Sequence, residues 1–108
     1  NYRDKNLRQM FGISLADYER MLEEQNGVCA VCKNPEKTVR GGVTLILAVD
    51  HCHTNNHVRG LLCNNCNRGL GQFRDSPEYL RSAADYIERD RIKNGAVYSA
   101  STTSEDLN

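Results

Sequence analysis

DHCHTNNHVRGLLCNNCN, residues 50–67, gathers one carboxylate, three imidazoles, three thiols and, at its end, the amide of Asn67. This density of metal-ligating groups predicts a metal-dependent site. An apolar run, residues 44–49, leads into Asp50 and His51, and a polar turn follows at Thr54, Asn55 and Asn56. A second apolar run, residues 58–62, then ends in Cys63-x-x-Cys66. Two such runs around an Asn-rich turn predict a β-hairpin, and the change of pattern after Leu62 predicts a short helix carrying Asn67.

Working outward, a second pair, Cys29-x-x-Cys32, precedes the first by thirty intervening residues. Four thiolates in two such pairs satisfy the tetrahedral shell of a structural zinc, which leaves no open position for water. The zinc expected on Cys29, Cys32, Cys63 and Cys66 is therefore a clamp, and any chemistry must lie elsewhere. The chain has five cysteines. Two metal-binding pairs plus a free Cys52 account for this odd number better than disulfides do, and they point to a reducing compartment.

A chain of 108 residues has room for one domain with a modest core, and it contains no Trp. A metal staple would add what such a core lacks. Formal net charge is zero, which on its face argues against a nucleic-acid partner. The distribution is uneven: residues 41–74 hold Arg59, Arg68, Arg74 and all three His against one acid, Asp50. With a divalent cation on Asp50 this middle region becomes positive. No apolar run approaches the ~18 residues of a membrane span, and no leader is recognisable.

Upstream, apolar positions Tyr2, Leu7, Met10 and Phe11 predict a first helix stopped by Gly12. Ser14 and Asp17 form a capping-box pattern, and Leu15, Tyr18, Met21 and Leu22 continue at helical spacing toward Gly27. Residues 33–40 read as a loop, and residues 43–49 as a strand. Gly69 and Gly71 argue that the helix after Cys63 is short. Ser76-Pro77 predicts a further helix start, with Leu80, Ala83, Ala84 and Ile87 on one face and an end near Ile92.

Asp50, His51 and Asn67 are the residues suited to phosphoryl chemistry. A hard cation such as Mg²⁺ or Mn²⁺ takes oxygen ligands, here the Asp50 carboxylate and the Asn67 amide oxygen. His51 is then the general base, because imidazole accepts a proton near neutral pH. Neighbouring residues on a regular strand face opposite ways, so Asp50 and His51 serve one phosphate only if the strand ends or bulges there.

The run DHCHTNNHVRGLLCNNCNRGLG, with Phe11-Gly12-Ile13-Ser14 and QNGVCAVC at residues 25–32, closely resembles the phage recombination endonuclease VII family of HNH, or ββα-metal, nucleases. The likeness covers roughly residues 2–92. It implies a small α+β fold, a zinc-stapled ββα-metal module with flanking helices. It also implies four zinc-binding cysteines, Asp50 and Asn67 as ligands of the catalytic cation, His51 as general base and His53 as a second active-site histidine. Residues 1–27 are then a helical lead-in, 28–73 the nuclease core, 74–95 a C-terminal helix and 96–108 a disordered tail. Arg59 and Arg68 are expected on DNA phosphates, since guanidinium offers a bidentate fork.

The function expected is that of a metal-dependent DNA endonuclease, acting in the cytoplasm of a bacterial or phage-infected cell and leaving 5′-phosphate and 3′-hydroxyl ends. Branched DNA is a substrate the resemblance adds, with a homodimer needed to cut both strands symmetrically. The rival from another class is a non-catalytic zinc module that binds nucleic acid or protein. It gives no reason for Asp50, His51 and Asn67 to occur together.

Overall fold

The computed structural model describes residues 1–95. The tail expected over 96–108 lies outside them. The fold is small α+β, with helices α1 (Tyr2–Phe11), α2 (Leu15–Glu24), α3 (Asn64–Gln72) and α4 (Pro77–Lys93), and strands β1 (Val39–Arg40), β2 (Val43–Thr44), β3 (Ala48–His51) and β4 (Val58–Leu62). The chain divides into two compact units, residues 1–69 and residues 70 onward. Among the described residues no helix is long and apolar enough to cross a membrane.

Local chemistry explains the helix ends of the first unit. The Asn1 side chain caps α1, and Gly12 closes it in the left-handed region at φ 73°. A side chain with a Cβ would be strained in that conformation. Ser14 and Asp17 form a reciprocal capping box on α2, with both bonds at 3.0 Å. Asp4 joins the two helices by accepting the Leu15 N–H at 2.7 Å.

The core of this unit is Leu7, Tyr18, Cys29, Leu47, Leu61, Leu62 and Cys63. Tyr18 is buried with its phenol donating to the Leu47 carbonyl, so the polar end of the ring is satisfied inside the core. Gln25 does comparable work at the edge of β4. Its amide nitrogen donates to Leu61 O at 2.9 Å and to Val28 O at 2.8 Å, and its amide oxygen accepts from Leu61 N at 2.9 Å. The side chain thus imitates a neighbouring strand and blunts an exposed edge. A Cβ at Gly60 would stand 3.4 Å from that amide oxygen, at van der Waals contact.

The apolar run 43–49 is not one strand. β2 pairs with β1, and β3 pairs with β4, with residues 45–47 between them. Gly41 and Gly42 sit at φ 57° and 79°, and a two-residue turn with both φ values positive closes the β1–β2 hairpin. Residues 39–40, expected in a loop, are therefore a strand. The Gly-Gly dipeptide was the available signal. The Leu45 N–H to Thr38 O bond at 2.8 Å carries the β1–β2 pairing one residue further, and the run breaks beyond it, where Leu47 turns inward and its carbonyl accepts from the Tyr18 phenol.

In the second unit, Arg74 and Asp75 adopt φ 56° and 57°, and their N–H groups close onto Gly71 O and Leu70 O at 3.0 and 2.8 Å. α3 runs through both Gly69 and Gly71 to Gln72, longer than those glycines suggest. Ser76 caps α4, accepting from Tyr79 N at 3.1 Å, with Pro77 at the first helical position.

Candidate functional site

Each cysteine pair sits on a tight turn. After Cys29, the Val31 N–H points at Cys29 Sγ (3.4 Å) and the Lys33 N–H at Cys29 O (3.0 Å), with Lys33 at φ 64°. After Cys63, the chain enters α3 at once, and the Cys66 N–H points at Cys63 Sγ (3.4 Å). These turns bring the four ligand sulfurs within 4.8 Å of one another, and Cys32 Sγ and Cys63 Sγ are 3.8 Å apart. Four sulfurs held about 2.3 Å from one tetrahedral zinc stand about 3.8 Å from each other, so the cluster has the dimensions of such a shell. None of the five cysteines forms a disulfide.

Electrostatics within the cluster are uneven. Burial raises the Cys29 thiol, but N–H groups of Cys32, Cys63 and Val31 outweigh it and bring the thiol down to about 7. Burial pushes Cys66 and Cys63 upward. The Cys29 thiolate therefore forms readily while Cys63 and Cys66 hold their protons, until a cation compensates the charge.

The helix that follows the cluster is braced by a residue outside the motif. Glu36 accepts from Asn64 N at 2.7 Å, and also from Thr38 N at 2.9 Å and Lys37 N at 3.0 Å. Burial raises this carboxyl, yet the N–H donors of Thr38, Asn64 and Lys37 prevail and hold it below its usual value. Glu36 is thus a long-range cap on the first turn of α3. Sequence spacing gave no hint of it, because Glu36 lies 28 residues from Asn64.

Beside the cluster, β3 and β4 pair antiparallel with Asp50 opposite Gly60 and His51 opposite Val58. The register shifts there by one residue, and the extra residue, Arg59, lies on β4. The irregularity expected at Asp50 and His51 is present, with the surplus residue on the partner strand. Asp50 is only 9% exposed. Its carboxylate is gripped by the fork of Arg59, Nε to Oδ2 at 2.7 Å and an Nη to Oδ1 at 3.1 Å. Arg59, expected on DNA, is exposed and pairs with Asp50 within the chain. In unbroken register it would pair with His51, on the face away from Asp50; the bulge re-aims it.

His51 is half-buried between two rings, with Phe11 at 6.0 Å and His53 at 5.2 Å between centroids. His53 is exposed in the turn, which closes through Cys52 N to His57 O (2.8 Å) and Asn56 N to Cys52 O (2.7 Å). A cleft of about 330 Å³ opens beside His51, lined by residues 8–12 of the α1 end together with His51 and Asn56. The C-terminal end of α1 is therefore a wall of the site, which the sequence did not disclose. Hydrogen bonds from Asn55 and Thr54 lower the thiol of Cys52.

Asn67 follows Cys66 on α3, half-buried, with its N–H on Cys63 O at 3.0 Å. No hydrogen bond or ring contact links it to Asp50 or His51 among the described residues. Arg68 is exposed. The structure thus unites the four cysteines, Asp50 with Arg59, and His51 with His53. It places Asn67 one residue beyond the cluster.

Comparison with known proteins matches residues 4–89 to the profile of recombination endonuclease VII. The chain belongs to that family. It is 39% identical over 80 residues to the Gene 59 protein of Mycobacterium phage D29, covering 73% of this chain and 46% of that protein. The Gene 59 protein of Mycobacterium phage L5 is 37% identical over 78 residues, covering 71% and 44%. The chain thus spans less than half the length of these curated relatives. The family match includes every candidate site residue from Cys29 to Arg68.

Proposed function

We propose that the chain is a metal-dependent DNA endonuclease of the HNH, or ββα-metal, type, with two metal centres of opposite character. The observation that carries this is a nearly buried carboxylate, Asp50, followed directly by an imidazole pair, His51 and His53, in a family of recombination endonucleases. Cys29, Cys32, Cys63 and Cys66 hold a structural zinc. Asp50 and Asn67 offer the oxygen donors that suit a hard cation, Mg²⁺ or Mn²⁺.

In this reading His51 takes a proton from the attacking water. The water oxygen bonds to phosphorus as the P–O3′ bond breaks, leaving a 5′-phosphate, and the departing 3′ oxygen takes a proton from solvent. A divalent cation, when bound, supplies Lewis-acid stabilisation of the charge building on that oxygen. His53 contacts the phosphate, and the tilted ring contacts of Phe11 and His53 orient His51. Arg68 draws the DNA backbone. Branched DNA is the proposed preferred substrate, cut by a homodimer in the cytoplasm of an infected bacterium.

A non-catalytic binding module is the second reading, favoured by the Arg59 fork that engages both Asp50 oxygens. Plasmid nicking separates the two. Zinc-loaded protein with Mg²⁺ or Mn²⁺ should nick supercoiled DNA, and His51→Ala should lose on the order of 10²–10⁴-fold in rate while keeping its circular dichroism spectrum. Inactivity across both metals and across linear, supercoiled and branched DNA would leave only the binding module.

A further inference from the structure

Resting on the reading of Asp50 as a cation ligand, we propose that Arg59 is a stand-in cation. It holds the Asp50 carboxylate aimed and neutralised until a divalent ion arrives, and so it sets the affinity for that ion. Three observations converge on this. Asp50 is the only buried charged residue among those described, and a buried carboxylate needs a compensating positive group. Arg59 supplies it with a bidentate fork, at 2.7 and 3.1 Å, that takes up both carboxylate oxygens at once. And Arg59 is the surplus residue of the bulge, so the fold departs from regular pairing at the one place that brings this guanidinium onto the Asp50 face.

An ordinary structural ion pair and a stand-in cation differ in what the site does with a second positive charge. A divalent ion binding the same oxygens must displace at least one arm of the fork, because guanidinium and cation repel each other at that range. Arg59 is one-third exposed at its side chain, so a displaced guanidinium has solvent to turn into, where a DNA phosphate would offer the same fork geometry. Arg59 thereby costs the free protein cation affinity and returns that cost once the phosphate is bound.

The test is Mn²⁺ binding to the zinc-loaded chain without DNA, followed by the electron paramagnetic resonance of free Mn²⁺. Arg59→Ala should bind Mn²⁺ on the order of tenfold more tightly than the native chain, the effect of removing one competing charge. Arg59→Lys should fall near the native value. Arg59→Gln keeps donors of similar reach without the charge and covers the case in which Ala does not fold; its melting temperature should rise more on adding Mn²⁺ than the native protein's does. Asp50→Asn is the control and should abolish the binding in every background. If Asp50→Asn leaves Mn²⁺ binding unchanged, the cation reading of Asp50 fails, and this inference with it. If Asp50→Asn abolishes binding but Arg59→Ala and Arg59→Gln bind no more tightly than the native chain, Arg59 is a structural brace and only this inference is overturned.

Discussion

The cysteine cluster and the Asp50 site share the segment 50–67, yet they are built to opposite specifications. The cluster is closed: four ligands of one kind within 4.8 Å of each other, two of them buried, on turns whose N–H groups point at the sulfurs. The Asp50 site is open and mixed. A carboxylate is held by a guanidinium, one imidazole is half-buried and another exposed, and a cleft opens alongside. A zinc ion saturating this tetrahedral set would make the first a fastener. Unequal burial and unlike donors make the second a place where charge and ligands can exchange.

If that contrast is right, the largest effect comes from unfastening the cluster. Stripping the metal with a chelator, or Cys63→Ser, should unfold the first unit, since apparent zinc-binding energies of roughly 10–16 kcal/mol in small domains are folding energies. Loss of the far-ultraviolet helix signal together with release of one zinc per chain is the expected result. Retention of native structure without zinc would show that the cluster is not the fastener. Zinc should also leave as pH falls, because protons compete for the thiolates and burial makes Cys63 and Cys66 hold theirs more strongly.

A smaller effect probes the link between the two regions. Gln25→Ala removes three hydrogen bonds, to Val28 and to both backbone groups of Leu61 in β4. It should cost about 1–3 kcal/mol in chemical denaturation. It should also weaken nicking, because β4 carries Arg59, the partner of Asp50. A variant as stable as the native protein would show that β4 needs no edge partner.

The smallest effect separates α3 from the cluster. Glu36→Gln should lower stability by about 1 kcal/mol at neutral pH, the usual scale for a helix cap. The native carboxyl lies below its ordinary value of 4.5, so its contribution is fully present above that pH and fades as pH falls through the folded-state value. The gap in melting temperature between native protein and variant should therefore close in acid. Comparing the two at each pH cancels the common loss of zinc. A gap that widens in acid would refute the cap.

Local chemistry was legible wherever neighbouring residues decide the outcome. Gly12 ends α1, the Ser14–Asp17 box starts α2 and Ser76-Pro77 starts α4, each within about one helical turn. The cysteine quartet was legible for a related reason: C-x-x-C spacing dictates the turn, and two such turns need only one cation to meet. The run 43–49 misled because apolar residues look alike whether they extend a sheet or dip into a core, and Leu47 dips.

The amino-acid sequence by itself determined the helix ends, the two knuckles and the family, since capping and chelation are written in short-range spacing. Only the tertiary structure decided that Glu36 caps a helix 28 residues away, that Gln25 edges β4 and that α1 walls the cleft beside His51. It alone decided that Arg59 faces Asp50. Strand register is a long-range quantity, and one surplus residue in β4 turns a side chain to the other face with no mark in the local pattern.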